Sequence, residues 1–384
     1  MTPAPRRPRQ RQARGASRVG ERFEAEVGPV AHGGHCIVRL PEPEPFETPR
    51  PSAPQEPSRV VFVRHTLPGE RVVLEITEGT EGDKFWRGDA VEVLQPSPDR
   101  VPAPCPFAGP GLCGGCDFQH VSLQRQRDLK AAVVSEQLSR LAHLDLDVTV
   151  EAVPGDVDGL HWRTRQRYVA LPDGRRGMRK HRSHEVVEID ECLIESPERP
   201  TYVVGPHAFE VADDGFWQVH PGAPAVLVET VLDYLRPAPG ERALDLYAGV
   251  GLFARFLKDA VGESGRVVAI EGDAVASKQT RRNCPGVVAT AGRVDEVLRG
   301  EVHDEPFDLV VLDPPREGAK RKVVEQVVAR APRAVAYVAC DPAALARDVA
   351  IFAEHGYTLR RLRALDLFPM TSHVECVALL VKSR

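Results

Sequence analysis

Ala334-Val335-Ala336-Tyr337-Val338-Ala339-Cys340-Asp341-Pro342 is an apolar run that ends abruptly in a thiol followed by Asp-Pro. A short apolar run closed by a turn signal predicts a buried strand. In open parallel sheets ligands collect at the carboxyl ends of the strands, and Cys340 stands at such an end. A thiol there is a candidate nucleophile, although cysteine is also a common buried apolar filler. What the neighbouring strands deliver to the same edge decides between the two.

Upstream, Phe307-Asp308-Leu309-Val310-Val311-Leu312 reads as a fourth strand and delivers Asp313-Pro314-Pro315-Arg316. Arg266-Val267-Val268-Ala269-Ile270 reads as the second and ends in Glu271. The first, Arg242-Ala243-Leu244-Asp245-Leu246, opens into Tyr247-Ala248-Gly249-Val250-Gly251 and a helix, with glycines that let backbone approach a ligand. This is not the full dinucleotide fingerprint, and a lone Gly-x-Gly is a weak signal. Glu271 lies about 20 residues beyond that turn, where a carboxylate accepts hydrogen bonds from ribose hydroxyls. Its alternative use is to cap the following helix. Phe216-Trp217-Gln218-Val219-His220-Pro221 leads into an amphipathic helix over residues 225–232, and two strands, 359–368 and 374–381, close the pattern.

The chain has 384 residues, enough for two or three domains. Its 50 basic and 55 acidic residues give a net charge of -5, so only a local concentration of cations could attract a polyanion. One such concentration is Arg6, Arg7, Arg9, Arg11, Arg14 and Arg18, with no acid before Glu21. It predicts a disordered basic arm, either a solvated tail or a weak nucleic-acid contact. No apolar run approaches the roughly 20 residues of a membrane helix, and the N-terminus lacks the apolar core of a secretory signal. The protein is therefore expected to be cytoplasmic, where its eight cysteines are metal ligands if clustered and catalytic or buried if isolated.

Short apolar segments at 23–27, 36–40, 60–63, 71–76 and 89–94, separated by glycine-rich turns, predict a small β-barrel, with residues 41–58 as a mobile Pro- and Glu-rich loop. Cys105, Cys113 and Cys116 follow with metal-site spacing and glycines that let the chain fold round an ion. Cys192 is the best fourth ligand, with His120 the alternative for zinc. Spacing leaves iron–sulfur and zinc both open. Residues 123–141 have helical spacing. Next, Trp162-Arg163-Thr164-Arg165-Gln166-Arg167-Tyr168 alternates like a strand with three arginines on one face, and Arg175, Arg176, Arg179, Lys180 and Arg182 follow. Eight cations against Asp173 alone predict phosphate contact, with Trp162, Tyr168 and His181 placed to stack on bases; the alternative is a solvated face.

Taken together, the glycine turn, Glu271, Asp313-Pro314-Pro315 and the two closing strands resemble a class I methyltransferase using S-adenosylmethionine. Cys340 in Ala-Cys-Asp-Pro and Glu375 in His-Val-Glu-Cys-Val narrow the resemblance to RNA 5-methyluridine methyltransferases, and the N-terminal strands resemble a TRAM domain. The resemblance covers nearly the whole chain. It implies an α/β fold, a Rossmann-like sheet of six parallel strands plus an antiparallel one, behind a small β-barrel and a middle iron–sulfur domain. The implied divisions are a basic arm at 1–20, the barrel at 21–97, the iron–sulfur and RNA-binding domain at 98–205 and the methyltransferase domain at 206–384. It implies Cys340 as nucleophile, Glu375 as base, and Gln218, Tyr247, Glu271 and Asp313 as contacts to S-adenosylmethionine. Cys105, Cys113, Cys116 and Cys192 match the family's 4Fe-4S ligands. His220 departs from the pattern, since many relatives carry asparagine after Gln-Val. The expected substrate is a loop or single-stranded uridine, in ribosomal RNA or alternatively transfer RNA, acted on by a monomer. Two rivals are an amino-methyltransferase, which would have no need of Cys340 with Glu375, and a non-catalytic RNA-binding iron–sulfur protein.

Overall fold

The structure, a computed structural model, describes residues 15–41 and 58–383. It divides into two compact units. The first holds the described residues up to Ser122 together with Lys180–Glu185, and the second holds Leu123–Arg179 and the residues from Val186 onward. Residues 98–205 are thus shared between the units. Positions 1–14 of the basic arm and 42–57 of the Pro- and Glu-rich loop lie outside the described residues.

In the first unit, β1 (Arg22–Glu26), β2 (Cys36–Pro41), β3 (Ser58–Arg64), β4 (Arg71–Glu78) and β5 (Phe85–Gln95) form one sheet in the order β1-β4-β5-β3-β2. Alternate residues of β4, Val72, Leu74 and Ile76, are buried, the period-2 pattern of a strand with one wet face. The turn before β4 is held by the Glu70 carboxylate, which accepts the Leu67 amide at 2.8 Å and both Nε and Nη2 of Arg100 at 2.6 and 2.7 Å. Arg18, from the end of the basic arm, is engaged within this unit by Glu21 and Glu81, each at 3.0 Å.

The second unit begins with α1 (Leu123–Ala142) and β6 (Val150–Ala152), followed by a three-stranded sheet of β7 (Val169–Ala170), β8 (Arg176–Arg179) and β9 (Val186–Glu188) and a minimal hairpin of β10 (Val203–Val204) and β11 (His207–Ala208). Then come α2 (Ala223–Leu235), β12 (Arg242–Leu246), α3 (Leu252–Val261), β13 (Arg266–Glu271), α4 (Ala274–Asn283), β14 (Val287–Ala291), α5 (Val294–Val297), β15 (Leu309–Leu312), α6 (Lys320–Ala329), β16 (Ala334–Ala339), α7 (Pro342–Glu354), β17 (Tyr357–Asp366) and β18 (Glu375–Lys382). The main sheet has the order β14-β13-β12-β15-β16-β18-β17-β6. All its strands run one way except β18, which is antiparallel to both β16 and β17. The expectation of six parallel strands and one antiparallel holds in part: β18 is the antiparallel strand, but the parallel strands number seven, because β6 pairs with β17 at the edge.

Alternation along each strand builds two cores. Leu309 and Val311 face α2 and α3, packing with Leu227 and Leu257, while Val310 and Leu312 pack on the other side with Leu138 of α1, Val327 of α6 and Phe352 of α7. Strand order reverses between β12 and β15, so their carboxyl ends diverge into the crevice where open α/β sheets bind ligands. Among the described residues no helix is long and apolar enough to cross a membrane.

Candidate active site

The strand that opens the sequence reading is β16, all six of whose residues are buried. Its successor Cys340 is a free, half-buried thiol. Asp341 caps α7, its Oδ1 accepting the Ala344 amide at 2.8 Å, and Pro342 begins the helix with a residue whose missing N–H is no loss there. Local chemistry thus ends the strand at the thiol.

Antiparallel register brings the second group. Ala339 pairs with Cys376, so one further step sets Cys340 across from Glu375, which is also paired on its other side with Leu365 of β17. Glu375 is 4 % exposed. Burial, and then the neighbouring Asp313, hold its carboxyl well above the usual carboxylate range. The Cys340 thiol is pushed up to about 12 by burial, then by Glu375 and Asp313, with Arg316 acting in the opposite direction. Asp313 itself, one residue beyond β15, is raised to about 7 by burial and by Glu271. Cys340, Glu375, Asp313 and Glu271 therefore form one electrostatically coupled group along the carboxyl edge. In such a group a cation would be welcome, because it relieves acid–acid repulsion and stabilises a thiolate.

Glu271 turns both oxygens onto backbone, Oε2 accepting the Gly249 amide at 2.8 Å and Oε1 the Asp273 amide at 2.7 Å. Each oxygen keeps a lone pair for a ligand donor. Tyr247 starts the glycine turn in the left-handed region at φ 63°, and the half-buried ring follows β12 directly. The two glycines of the turn do different work. A side chain at Gly251 would meet Cys284 Sγ at 2.5 Å, so this position is dictated by packing. At Gly249 a side chain would meet no protein atom within 4 Å, leaving the backbone open to a ligand, as a nucleoside-bearing cofactor requires. Gln218 is half-buried in a segment pinned by Thr164, whose hydroxyl donates to the Val219 carbonyl at 2.9 Å. No hydrogen bond joins Gln218 or Tyr247 to the acidic group among the described residues.

One site residue escaped the sequence reading. Asp245, inside β12, is completely buried and accepts the Ala254 amide of α3 through Oδ2 at 2.8 Å, while its Oδ1 has no hydrogen-bond partner. Burial holds its carboxyl well above the carboxylate range, with Asp313 and Glu271 adding to the effect. The available signal was an acid inside the apolar run Ala243-Leu244-Asp245-Leu246. His220, the departure from the family pattern, is buried and stacks on Trp162 with ring centroids 6.0 Å apart. Burial lowers it to about 4, so it is a neutral ring whose Nδ1 accepts the Gly222 amide at 3.1 Å.

The basic segment is corrected. Residues 162–168 do not form a strand, so the alternation that would put the three arginines on one face is absent. Arg165 donates to the carbonyls of Asp213 and Gly215. Arg175 is bound by Asp173 and Glu188, Arg176 by Glu195 and the Asp190 carbonyl, and Lys180 by Glu185. The aromatic rings also have partners. Trp162 is 3 % exposed against His220 and Phe368, Tyr168 donates to Glu195 beneath the Arg176 guanidinium, and His181 lies edge-on to His35. Trp162 is therefore closed to a base, whereas Tyr168 and His181 remain partly exposed. Arg167 is exposed.

None of the eight cysteines is in a disulfide. Within the first unit, Cys113 Sγ accepts the Gly115 amide at 3.4 Å and Cys116 Sγ accepts from the Gln119 side chain at 3.5 Å. Within the second, Cys192 Sγ accepts from the Gln166 side chain at 3.4 Å. N–H donors of this kind suit thiolate sulfur. Among the described residues, however, no three His, Cys, Asp or Glu side chains are drawn together as a metal-binding group. The thiols fit either metal, and the iron–sulfur expectation rests on the family resemblance.

Three family models match the chain: TRAM domain over residues 16–91, methyltransferase small domain over 223–337 and tRNA (Uracil-5-)-methyltransferase over 294–383. An RNA methyltransferase of Streptomyces coelicolor is 45% identical over 446 residues, spanning 95% of this chain and 93% of its own. The 23S rRNA (uracil(1939)-C(5))-methyltransferase of Shewanella sp. (strain MR-7) is 28% identical, spanning 85% and 91%. Among solved structures, Pyrococcus abyssi tRNA (uracil-54, C5)-methyltransferase in complex with S-adenosyl-L-homocysteine covers 84% of this chain and 95% of its own, with a TM-score of 0.61 at 22% identity, a likeness of fold.

Proposed function

Since the chain belongs to the RNA methyltransferases, and is an S-adenosylmethionine-dependent RNA (uracil-5-)-methyltransferase carrying a TRAM domain, we propose that it methylates carbon 5 of a uridine in ribosomal RNA through a covalent bond from Cys340 to carbon 6. The observation that carries the covalent part is the register that sets Cys340 opposite Glu375 beside Asp313. The named activity of the Shewanella relative supports the choice of ribosomal RNA.

Carbon 5 of uracil is a poor nucleophile in an electron-poor ring. Addition of the Cys340 thiolate to carbon 6 converts the ring to an enolate, and carbon 5 then takes a methyl group. S-adenosylmethionine supplies that methyl on a sulfonium. Glu375 removes the carbon 5 proton, the enolate re-forms, and its electrons expel the thiolate from carbon 6, restoring the aromatic product and the enzyme. A raised carboxyl pKa makes Glu375 a stronger base once ionised. Cationic surroundings lower the thiol from its resting value. The target base must leave its stack to enter, which a loop or single-stranded uridine does at least cost.

Glu271 and Asp313 are assigned to the cofactor, with Gln218 and Tyr247 beside it. Alanine at either acidic position is expected to weaken S-adenosylmethionine binding by roughly ten- to a hundredfold in calorimetry, the worth of a charge-assisted hydrogen bond. Wild-type affinity in both variants would remove the site as drawn. Cys105, Cys113, Cys116 and Cys192 are assigned to a 4Fe-4S cluster that shapes the RNA-binding part of the chain. Anaerobically purified protein should be brown and contain iron; zinc without iron would overturn this assignment. The substrate is tested by nucleoside mass spectrometry of RNA from cells lacking the protein. Loss of 5-methyluridine from ribosomal RNA is expected. Loss from transfer RNA alone would move the substrate, and loss of an N-methylated base would overturn the reaction.

A further inference from the structure

Helix α1 carries Gln126 and Lys130 one turn apart on one face, and both are essentially inaccessible, at 0 % and 1 % exposure. A fully buried lysine is rare unless paired. Lys130 Nζ lies 2.5 Å from Asp366 Oδ1 and 3.0 Å from the Phe368 carbonyl. Gln126 Oε1 accepts the Met370 amide at 2.8 Å, and its Nε2 lies 3.3 Å from Met370 Sδ. Both side chains therefore grip the connection between β17, which ends at Asp366, and β18, which begins at Glu375. That connection is bent sharply. Met370 stands at φ 64°, in the left-handed region that disfavours side chains, so the conformation must be imposed by its surroundings. Within it, Thr371 Oγ1 donates to the Phe368 carbonyl at 2.8 Å, and Phe368 meets His373 edge-on. Glu375 is the first residue of its strand, so its placement is shared between the ladder and this connection, and strand ends are the first parts of a ladder to open.

We propose that Gln126 and Lys130 are positioning residues for the Glu375 base: by fixing the β17–β18 connection they aim its carboxyl at the carbon 5 proton. This rests on the covalent reading above. Cys340 is delivered by β16 and α7, outside the gripped segment. Loss of the grip should therefore slow proton removal and thiolate release, and leave attack and methylation largely intact.

Gln126→Leu keeps the volume and removes both contacts to Met370. Single-turnover reactions with RNA and S-adenosylmethionine, quenched in denaturant, report adduct formation and adduct decay separately. The expected result is decay slowed about tenfold or more, the scale of a small misplacement of a catalytic group. Adduct formation should stay within about threefold of wild type. Lys130→Met with Asp366→Asn, which removes both buried charges together, should behave the same way if Gln126→Leu is poorly folded. Equal slowing of both phases would assign the two residues a structural role and overturn the inference. Glu375→Gln serves as the reference. If it accumulates adduct and Gln126→Leu does not, only this inference fails; if it accumulates none while still turning over, the assignment of Glu375 as the base fails first, and if it neither turns over nor accumulates adduct, the covalent reading does.

Discussion

Glu375→Gln is expected to leave methylated RNA covalently attached to the protein, as a denaturation-resistant complex that appears only when RNA and S-adenosylmethionine are both supplied. Attack and methylation precede proton removal, so a variant without a base still completes both. Release then falls by about 10²–10⁴-fold, the usual contribution of a positioned general base. The substitution is mild for the fold. Glutamine has the shape of glutamate, and the site already holds the carboxyl well above its usual range, so a neutral group there relieves a burial penalty. Turnover at the wild-type rate would show that another group is the base.

Cys340→Ala is expected to yield neither product nor adduct, a loss of at least about 10⁴-fold in rate. Cys376, on the paired strand, cannot replace it. Cys376 is buried within β18, and burial followed by Glu375 and Cys340 raises it beyond the range of a reactive thiol. Binding of S-adenosylmethionine should survive the change, because the proposed cofactor contacts lie on other strands. That control separates a missing nucleophile from a misfolded site, and an active Cys340→Ala enzyme would end the covalent mechanism.

The parts of this site that close an apolar strand were legible in the sequence. A buried strand closed by Cys340-Asp341-Pro342 and the acids Glu271 and Asp313 that close two other strands follow from local pattern, Glu375 from the family resemblance, and the structure brings the four into one electrostatically coupled group. What escaped depends on partners far along the chain. β6 is three residues long and exists as a strand because it pairs with β17. Arg165, Arg175 and Arg176 look unopposed locally, since the carbonyls of residues 213 and 215, Glu188 and Glu195 lie further along the chain. Lys130 and Asp366 are separated by 236 positions, and nothing local marks either as buried. Asp245 was visible as a polar interruption in an apolar run, but only the packing of α3 shows that one of its oxygens has no partner.

The central claim, that Cys340 bonds to carbon 6 while carbon 5 is methylated, is tested most directly with the wild-type enzyme and RNA whose uridines carry fluorine at carbon 5. No base can remove fluorine as it removes a proton, so the reaction must halt after methylation with the thioether intact. Digestion and mass spectrometry should then find one modified peptide, the one containing Cys340, bearing a methylated fluorouridine. A covalent complex mapped to another residue, or methylation of the fluorinated RNA with no covalent complex at all, would contradict the account.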